Sequence, residues 1–118
     1  MSDEFLKIAT AEINNEISEM QKILNSCSNC NDMSANAAKI QQSTHKIKGL
    51  APMMGKEDLG NLSALLDYML KRITTDNITD EIFDSINKSV IEMKNSMTST
   101  YNFDEIKRKI SYLSSTLS

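Results

Sequence analysis

The sequence predicts an all-α protein, and three observations lead to that prediction. Only three of the 118 residues are Gly and one is Pro, so few positions favour a sharp turn. Apolar residues recur at helical spacing in five separate stretches, and no alternating pattern typical of a β-strand separates them. Four amphipathic helices and a shorter fifth are expected to form an up-down four-helix bundle over about residues 3–99, with an additional C-terminal helix at about 103–117.

Length, composition and charge indicate the class of protein. A chain of 118 residues with 40% hydrophobic and 25% charged residues is expected to form one globular domain, residues 1–118. A net charge of −3, 5% aromatic residues and no Trp argue against a nucleic-acid-binding module. No apolar run approaches the roughly 20 residues that cross a bilayer, and the acidic N-terminus is unlike a secretory or mitochondrial signal. We therefore expect a cytoplasmic protein that binds neither nucleic acid nor membrane.

The first two predicted helices flank a polar segment. The first begins at Ser2 or Asp3, either of which can cap it, and ends near Asn25, because residues 26–34 are of types that favour turns. The second runs from about residue 34 to residue 54, and Gly55 then suits a left-handed stop. The inward-facing residues are Leu6, Ile13, Ile17, Met20 and Leu24 in the first helix, and Ala37, Ile40, Thr44, Ile47, Ala51 and Met54 in the second.

The remaining three helices follow the same pattern. The third spans about residues 56–73, and a loop at 74–78 follows it. The fourth begins at Thr79 and the fifth after Asn102, each with two acidic residues in its first turn, where they suit the positive end of the helix dipole. The inward-facing residues are Leu59, Leu62, Leu66, Met69 and Ile73, then Phe83, Ile86, Val90, Met93 and Met97, then Phe103, Ile106, Ile110, Leu113 and Leu117.

The two cysteines, Cys27 and Cys30, form a single Cys-Ser-Asn-Cys segment. Two cysteines do not make a disulfide framework, which favours a reducing compartment, and a structural zinc site would need a second ligand pair. A redox pair of this spacing normally opens a helix after a strand, and no strand is predicted. We interpret them as loop cysteines and predict no metal site, with a thiol-redox or metal module as the alternative.

His45 is the only histidine of the chain and lies in the second predicted helix. It follows Ile40 by five residues, so it points about 140° away from that core residue and shares a face with Lys48 and Gly49. A glycine inside a helix costs about 1 kcal/mol relative to Ala, so Gly49 either leaves space beside His45 or reflects fraying near Pro52. The residues alone leave two interpretations open, a reactive exposed histidine and an incidental one.

The segment His45-Lys46-Ile47-Lys48-Gly49, with Gly55 after it, resembles the H-x-x-K-G motif of histidine phosphotransfer (HPt) domains. It is most similar to the N-terminal phosphotransfer domain of the chemotaxis histidine kinase CheA, and the resemblance covers nearly the whole chain. It implies that His45 accepts a phosphoryl group from ATP on a histidine kinase catalytic domain and passes it to an Asp of a CheY-like response regulator receiver domain. Lys48 would lie beside the phosphoryl oxygens, and Gly49 would let the partner close over His45.

The same resemblance assigns roles to the third predicted helix. CheA-type domains place a Glu there to hydrogen-bond the histidine, and the matching residue is Asp67, shorter by one methylene. It would hold Nδ1–H and leave the Nε2 lone pair outward. The sequence departs from the family at Ala64, where a second His is often found, and at Pro52, where a small residue is expected. The docking residues that the resemblance implies are Gly49, Gly60, Ser63 and Ala64.

The chain has no nucleotide-binding signature of its own. It lacks a Gly-rich phosphate loop followed by Lys and Ser or Thr, and no cluster of acids in the sequence suits Mg²⁺. We expect a phosphoacceptor and carrier that binds no cofactor, with ATP and Mg²⁺ acting in the partner kinase domain. The closeness to CheA favours a piece of a larger histidine kinase over a free-standing relay protein. The alternative is a non-catalytic helical adaptor that binds a partner through an exposed groove, with His45 incidental.

Overall fold

Every regular element of the described chain is a helix. The computed structural model describes residues 2–117, which contain six helices and no strand. They are α1 (Asp3–Ser26), α2 (Cys30–Ala35), α3 (Ala37–Met53), α4 (Glu57–Leu70), α5 (Asp80–Ser96) and α6 (Asp104–Ser115). The prediction of an all-α protein is confirmed, and the five predicted helices correspond to α1 and to α3 through α6, with ends that agree within about three residues.

The polar segment between α1 and α3 differs from the prediction. The sequence predicts a loop over residues 26–34, and this is wrong in part because residues 30–35 form α2. Asn29 caps α2 by accepting a hydrogen bond of 2.9 Å from the backbone N–H of Asp32, and Met33 is fully buried in the core. Asn is common both in turns and at helix caps, and one buried residue makes no periodic pattern, so the sequence does not distinguish the two.

Several helix ends carry the signals that the sequence predicts. The side-chain oxygens of Ser2 and Thr79 accept backbone hydrogen bonds and cap α1 and α5. Gly55 has a φ of +78° after α3, and its N–H donates to the carbonyl of Pro52 while the next N–H donates to the carbonyl of Ala51. This Schellman arrangement confirms Gly55 as the left-handed stop of α3.

Helix α3 packs on both α1 and α4, most extensively on α4. Helix α1 also packs on α5, and α6 lies against α4 and α5. The molecule measures 45 × 26 × 20 Å. Ile82 takes the buried place at the start of α5 that the sequence assigns to Phe83, which is half-buried. No helix within residues 2–117 has both the length and the apolar character needed to cross a membrane. Large, fully buried core side chains include Ile13, Met20, Ile40, Ile47, Leu62, Leu66, Met69 and Ile86.

A tight contact between α3 and α4 forms at Gly60. A Cβ added to Gly60 would lie 2.7 Å from Cγ and 2.9 Å from Cδ of Pro52, closer than real side-chain atoms approach one another. The missing side chain therefore lets the proline ring of α3 pack directly on the backbone of α4. This contact fixes the relative position of the two helices that carry the candidate site.

Candidate functional site

His45 lies on the solvent side of α3. Its sequence neighbours Thr44 and Ile47 are fully buried, whereas the side chain of His45 is 62% exposed. The helical period turns the imidazole away from the core, as its spacing from Ile40 predicts. The ring is therefore accessible to a partner protein.

Asp67 is a buried carboxylate on α4 beside His45. Its side chain is only 5% exposed. Gln41 Nε2 donates a hydrogen bond of 2.5 Å to Oδ1, while the Nζ atoms of Lys48 and Lys71 lie 3.3 Å and 3.2 Å from Oδ2. Both oxygens have donors, which compensates the cost of removing the carboxylate from water.

The Nδ1 atom of His45 lies 3.9 Å from Oδ1 of Asp67. This distance is too long for a hydrogen bond, so the Nδ1–H bond to Asp67 that the resemblance implies is not formed in this structure. A carboxylate at this distance still attracts a positively charged imidazole. Nδ1 is the ring nitrogen paired with Asp67, which leaves Nε2 as the candidate nucleophile.

The charge of Asp67 is maintained by its neighbours. Burial by itself raises the pKa of this carboxyl, but hydrogen bonds from Gln41, Lys71 and Lys48, together with the charge of Lys48, outweigh it and lower the pKa of Asp67 below its ordinary value. Asp67 is therefore ionised at neutral pH. It can stabilise positive charge that develops on His45.

Two residues of this cluster are missed by the sequence analysis. Gln41 and Lys71 both contact Asp67, and neither belongs to the motif. Their spacing carries a signal, because Gln41 precedes His45 by four residues and Lys71 follows Asp67 by four, which is the separation of neighbours on one helix face. Lys48 is expected beside phosphoryl oxygens, and in this structure its ammonium group lies beside Asp67 instead.

Gly49 borders open space. Within the described part of the chain, a Cβ added there would meet no atom outside its own helical turn within 4 Å, and the residue is exposed. Packing within the chain therefore does not require a glycine at this position. A glycine here leaves the surface one turn after His45 free of side chain.

The small residues of α4 are not all available for docking. Gly60 and Ser63 are buried, the first against Pro52 and the second with its hydroxyl donating a 2.9 Å hydrogen bond to the carbonyl of Leu59. Only Ala64 of this strip is half-exposed. Gly60 and Ser63 serve the packing of α4 and are not exposed in this structure, so their part in a docking surface stays a prediction.

A second carboxylate, that of the half-buried Glu16, lies between α1 and α3. The side chain of Glu16 is 14% exposed; its Oε1 accepts a hydrogen bond of 2.8 Å from Ser43 Oγ, and its Oε2 lies 3.3 Å from Lys46 Nζ. This cluster is separate from that of Asp67. It links α1 to the middle of α3.

Cys27 follows α1, whereas Cys30 is the first residue of α2, so the interpretation of both as loop cysteines is wrong for Cys30. Both are free thiols packed at the edge of the core. Burial raises the pKa of Cys27, and the charge of Asp32 adds to this effect. Burial likewise raises the pKa of Cys30, reinforced by the nearby Asp80. Both thiols are therefore poor sources of the nucleophilic thiolate at neutral pH. The geometry favours a packing role for them.

The arrangement around His45 is suited to nucleophilic attack through Nε2. One ring nitrogen, Nδ1, lies near a carboxylate that can stabilise the resulting positive charge, which leaves Nε2 for the attack. Within residues 2–117 no group of three or more His, Cys, Asp or Glu side chains is placed to hold a metal ion. Comparison with known proteins gives no significant match, whether to a family model, to a curated protein or to a solved structure.

Proposed function

We propose that this chain is a histidine phosphotransfer domain of a two-component or chemotaxis signalling system. His45 accepts a phosphoryl group from ATP bound to a histidine kinase catalytic domain. It then passes the group to an aspartate of a CheY-like receiver domain. The chain acts as a carrier in the cytoplasm, and it is part of a CheA-type histidine kinase.

One observation carries this proposal. The only histidine of the chain is 62% exposed, and its Nδ1 lies 3.9 Å from a buried, charge-compensated carboxylate. Gln41, Lys48 and Lys71 compensate the burial of Asp67, so this carboxylate stays ionised next to an accessible imidazole. The arrangement is explained if the imidazole becomes positively charged during its function.

The first transfer follows from this geometry. The lone pair of His45 Nε2 attacks the γ-phosphorus of ATP, the N–P bond forms as the bond from phosphorus to the bridging oxygen breaks, and ADP leaves with the electron pair. The proton stays on Nδ1, so the ring carries a positive charge in the product. Asp67 stabilises that charge across 3.9 Å. The kinase domain supplies the nucleotide and Mg²⁺.

The second transfer reverses the charge on the ring. A carboxylate oxygen of the receiver aspartate attacks the phosphorus, the N–P bond breaks, and its electron pair returns to Nε2. The imidazole is then neutral with its proton still on Nδ1. No group of this chain has to gain or lose a proton in either step, which suits a carrier that exchanges one group between two partners.

The packing of the helices agrees with this assignment. In this proposal α1, α3, α4 and α5 would be the four-helix bundle, and α6, which contacts α4 and α5, would be the additional C-terminal helix. Gly49 leaves space for a partner to approach His45, because among residues 2–117 no atom outside its own helical turn lies within 4 Å of an added Cβ. Ala64 and the surface around His45 would form the docking area.

The test uses a kinase catalytic region that lacks its own phosphotransfer domain. The full chain is incubated with Mg-ATP and the catalytic region of a CheA kinase, and its intact mass is measured before and after mild acid. His45→Gln is measured in parallel, with Lys39→Gln, an exposed residue on the same helix, as the matched control. We expect one acid-labile phosphoryl group on the wild type and on the control, and none on His45→Gln.

Two results would contradict the proposal. One is a phosphoryl group that persists in His45→Gln, which places the acceptor elsewhere. The other is a lack of any adduct across several kinases and several phosphorylated receiver domains, each shown to be active with its own phosphotransfer partner. In that case the helical adaptor, with His45 incidental, becomes the better interpretation.

A further inference from the structure

A shallow depression of about 300 Å³ lies beside His45. It is lined by Gln41, Gln42, His45, Lys46 and Lys71. Two of the five are cations, and Lys48 of the motif does not line it. A dianionic group carried by the imidazole and directed into this depression would meet ammonium groups and amides, which are donors that suit phosphoryl oxygens.

The two cations of the depression differ in how freely they can move. Lys46 is held by Glu16, which has no other cation within ion-pair distance among the described residues. Lys71 follows the last residue of α4, and its side chain is 52% exposed. It pairs with Asp67, which has a second lysine, Lys48. Lys71 can therefore leave its ion pair with a smaller loss of electrostatic stabilisation than Lys46 can.

Both carboxylate oxygens of Asp67 keep a donor when Lys71 leaves. Gln41 Nε2 still donates to Oδ1, and Lys48 Nζ still lies 3.3 Å from Oδ2. The Asp67 cluster thus contains two positive charges for one negative charge before the phosphoryl group arrives. A phosphoryl group brings about two negative charges at neutral pH, so moving one lysine to it leaves every charge close to an opposite one.

We propose that Lys71 is the residue that binds the phosphoryl group on His45 Nε2. Its ammonium group moves from Asp67 to the phosphoryl oxygens, while Lys48 and Gln41 stay on Asp67. This inference rests on the proposed function of His45 as the phosphoacceptor. It assigns to Lys71 the phosphoryl contact that the sequence motif assigns to Lys48.

The test loads His45 without a kinase. Phosphoramidate transfers its phosphoryl group to imidazole nitrogen as its own P–N bond breaks and ammonia leaves, and His45 is the only histidine that can accept it. The second pKa of the phosphoryl group is then measured by ³¹P NMR titration of the Nε2 isomer, whose signal differs from that of the Nδ1 isomer. A neighbouring cation lowers this pKa, because it favours the dianion.

The variants are Lys71→Gln, Lys71→Arg and Lys48→Gln. Lys109→Gln is the matched control, because Lys109 is also paired with a carboxylate, that of Glu81, and its side chain is 49% exposed. We expect the phosphoryl pKa to rise by roughly half a unit in Lys71→Gln, to stay near the wild-type value in Lys71→Arg and Lys109→Gln, and to change less in Lys48→Gln. A purely structural role of Lys71 would not move this pKa.

Two outcomes would overturn the inference. They are an unchanged phosphoryl pKa in Lys71→Gln and a larger change in Lys48→Gln than in Lys71→Gln. Circular dichroism of each variant checks that the helices are intact, and Lys71→Arg keeps the test valid if Lys71→Gln is unfolded. Because phosphoramidate bypasses the kinase, an effect of Lys71 is measurable even if no kinase phosphorylates the chain, so failure of this inference and failure of the proposed function are distinguished.

Discussion

A buried carboxylate, Asp67, and a half-buried one, Glu16, flank α3, and they are paired differently. Glu16 of α1 accepts a hydrogen bond from Ser43 and faces Lys46, so one cation matches one anion. Asp67 of α4 faces two lysines and an amide, with His45 at 3.9 Å. The charge on the α1 side is balanced within the chain, whereas the α4 side has one positive charge in excess. A balanced pair suffices to hold two helices together, and an excess cation is useful when an anion arrives from outside.

The largest expected effect comes from forcing α4 away from α3. Gly60→Ala places a Cβ 2.7 Å from the ring of Pro52, and we expect it to lower the free energy of unfolding by about 2 kcal/mol. Gly49→Ala is the matched control on α3. Its added Cβ meets no atom of the described residues outside its own helical turn within 4 Å, so it should stabilise the protein by up to about 1 kcal/mol. Urea denaturation measures both, and equal stability of the two variants would contradict the steric explanation.

A double variant sharpens this test. Pro52→Ala removes the ring atoms that the new Cβ would meet, so Pro52→Ala with Gly60→Ala should lose less stability than the two single changes predict together. If the effects are simply additive, the Pro52–Gly60 contact is not the cause of the loss. For Gly49→Ala we also expect slower phosphorylation by the kinase because of the added methyl group, although the fold becomes more stable.

The next largest effect distinguishes the role of Asp67 from that of Glu16. Asp67→Asn removes the charge 3.9 Å from the imidazole, and we expect the rate of His45 phosphorylation by the kinase to fall about tenfold, equivalent to about 1.4 kcal/mol. Glu16→Gln removes the other carboxylate charge and should leave this rate unchanged. Quench-flow measurement of phosphoprotein formation gives both rates. Equal losses in the two variants would mean that Asp67 acts only through the packing of the helices.

A smaller effect is expected on the stability of the α1 side. Ser43→Ala removes the hydroxyl that donates to Glu16 at 2.8 Å, which should cost about 1 kcal/mol of unfolding free energy. Phosphorylation of His45 should continue at the wild-type rate. Thermal unfolding and the kinase assay measure the two quantities, and a slower phosphorylation of a stably folded Ser43→Ala would show that the two sides of α3 are coupled.

The smallest effect is the pH dependence that Asp67 confers on stability. Its pKa in the folded chain lies below the value of about 3.9 for an unfolded Asp, so its stabilising contribution is complete above that value. The contribution is lost as the pH falls through the folded pKa. The difference in unfolding free energy between the wild type and Asp67→Asn should therefore be constant near neutral pH and should shrink below about pH 4. A difference that does not change with pH contradicts the ionised Asp67.

The sequence predicts the helices well because burial on one face imposes a period. It also predicts the exposure of His45, which depends on the same period. It misses α2, whose single anchor is Met33. The contacts of Asp67 are missed as well, because Gln41 and Lys48 reach it from another helix and the sequence does not fix where α3 and α4 touch. Packing of helix on helix decides that position, through the fit of Gly60 to the proline of α3.

The contact between Gly60 and Pro52 also determines where His45 and Asp67 lie along their two helices. His45 precedes Pro52 by seven residues, and Asp67 follows Gly60 by seven residues. Seven residues make about two helical turns, or about 10.5 Å, so two antiparallel helices joined at Pro52 and Gly60 bring His45 and Asp67 to the same level. An inserted residue in the connection after Met53 leaves both intervals intact. A residue inserted between His45 and Pro52, or between Gly60 and Asp67, turns the histidine or the aspartate by about 100° and separates the two side chains. The chain length can therefore vary in the connection between α3 and α4 but not within either of these two intervals.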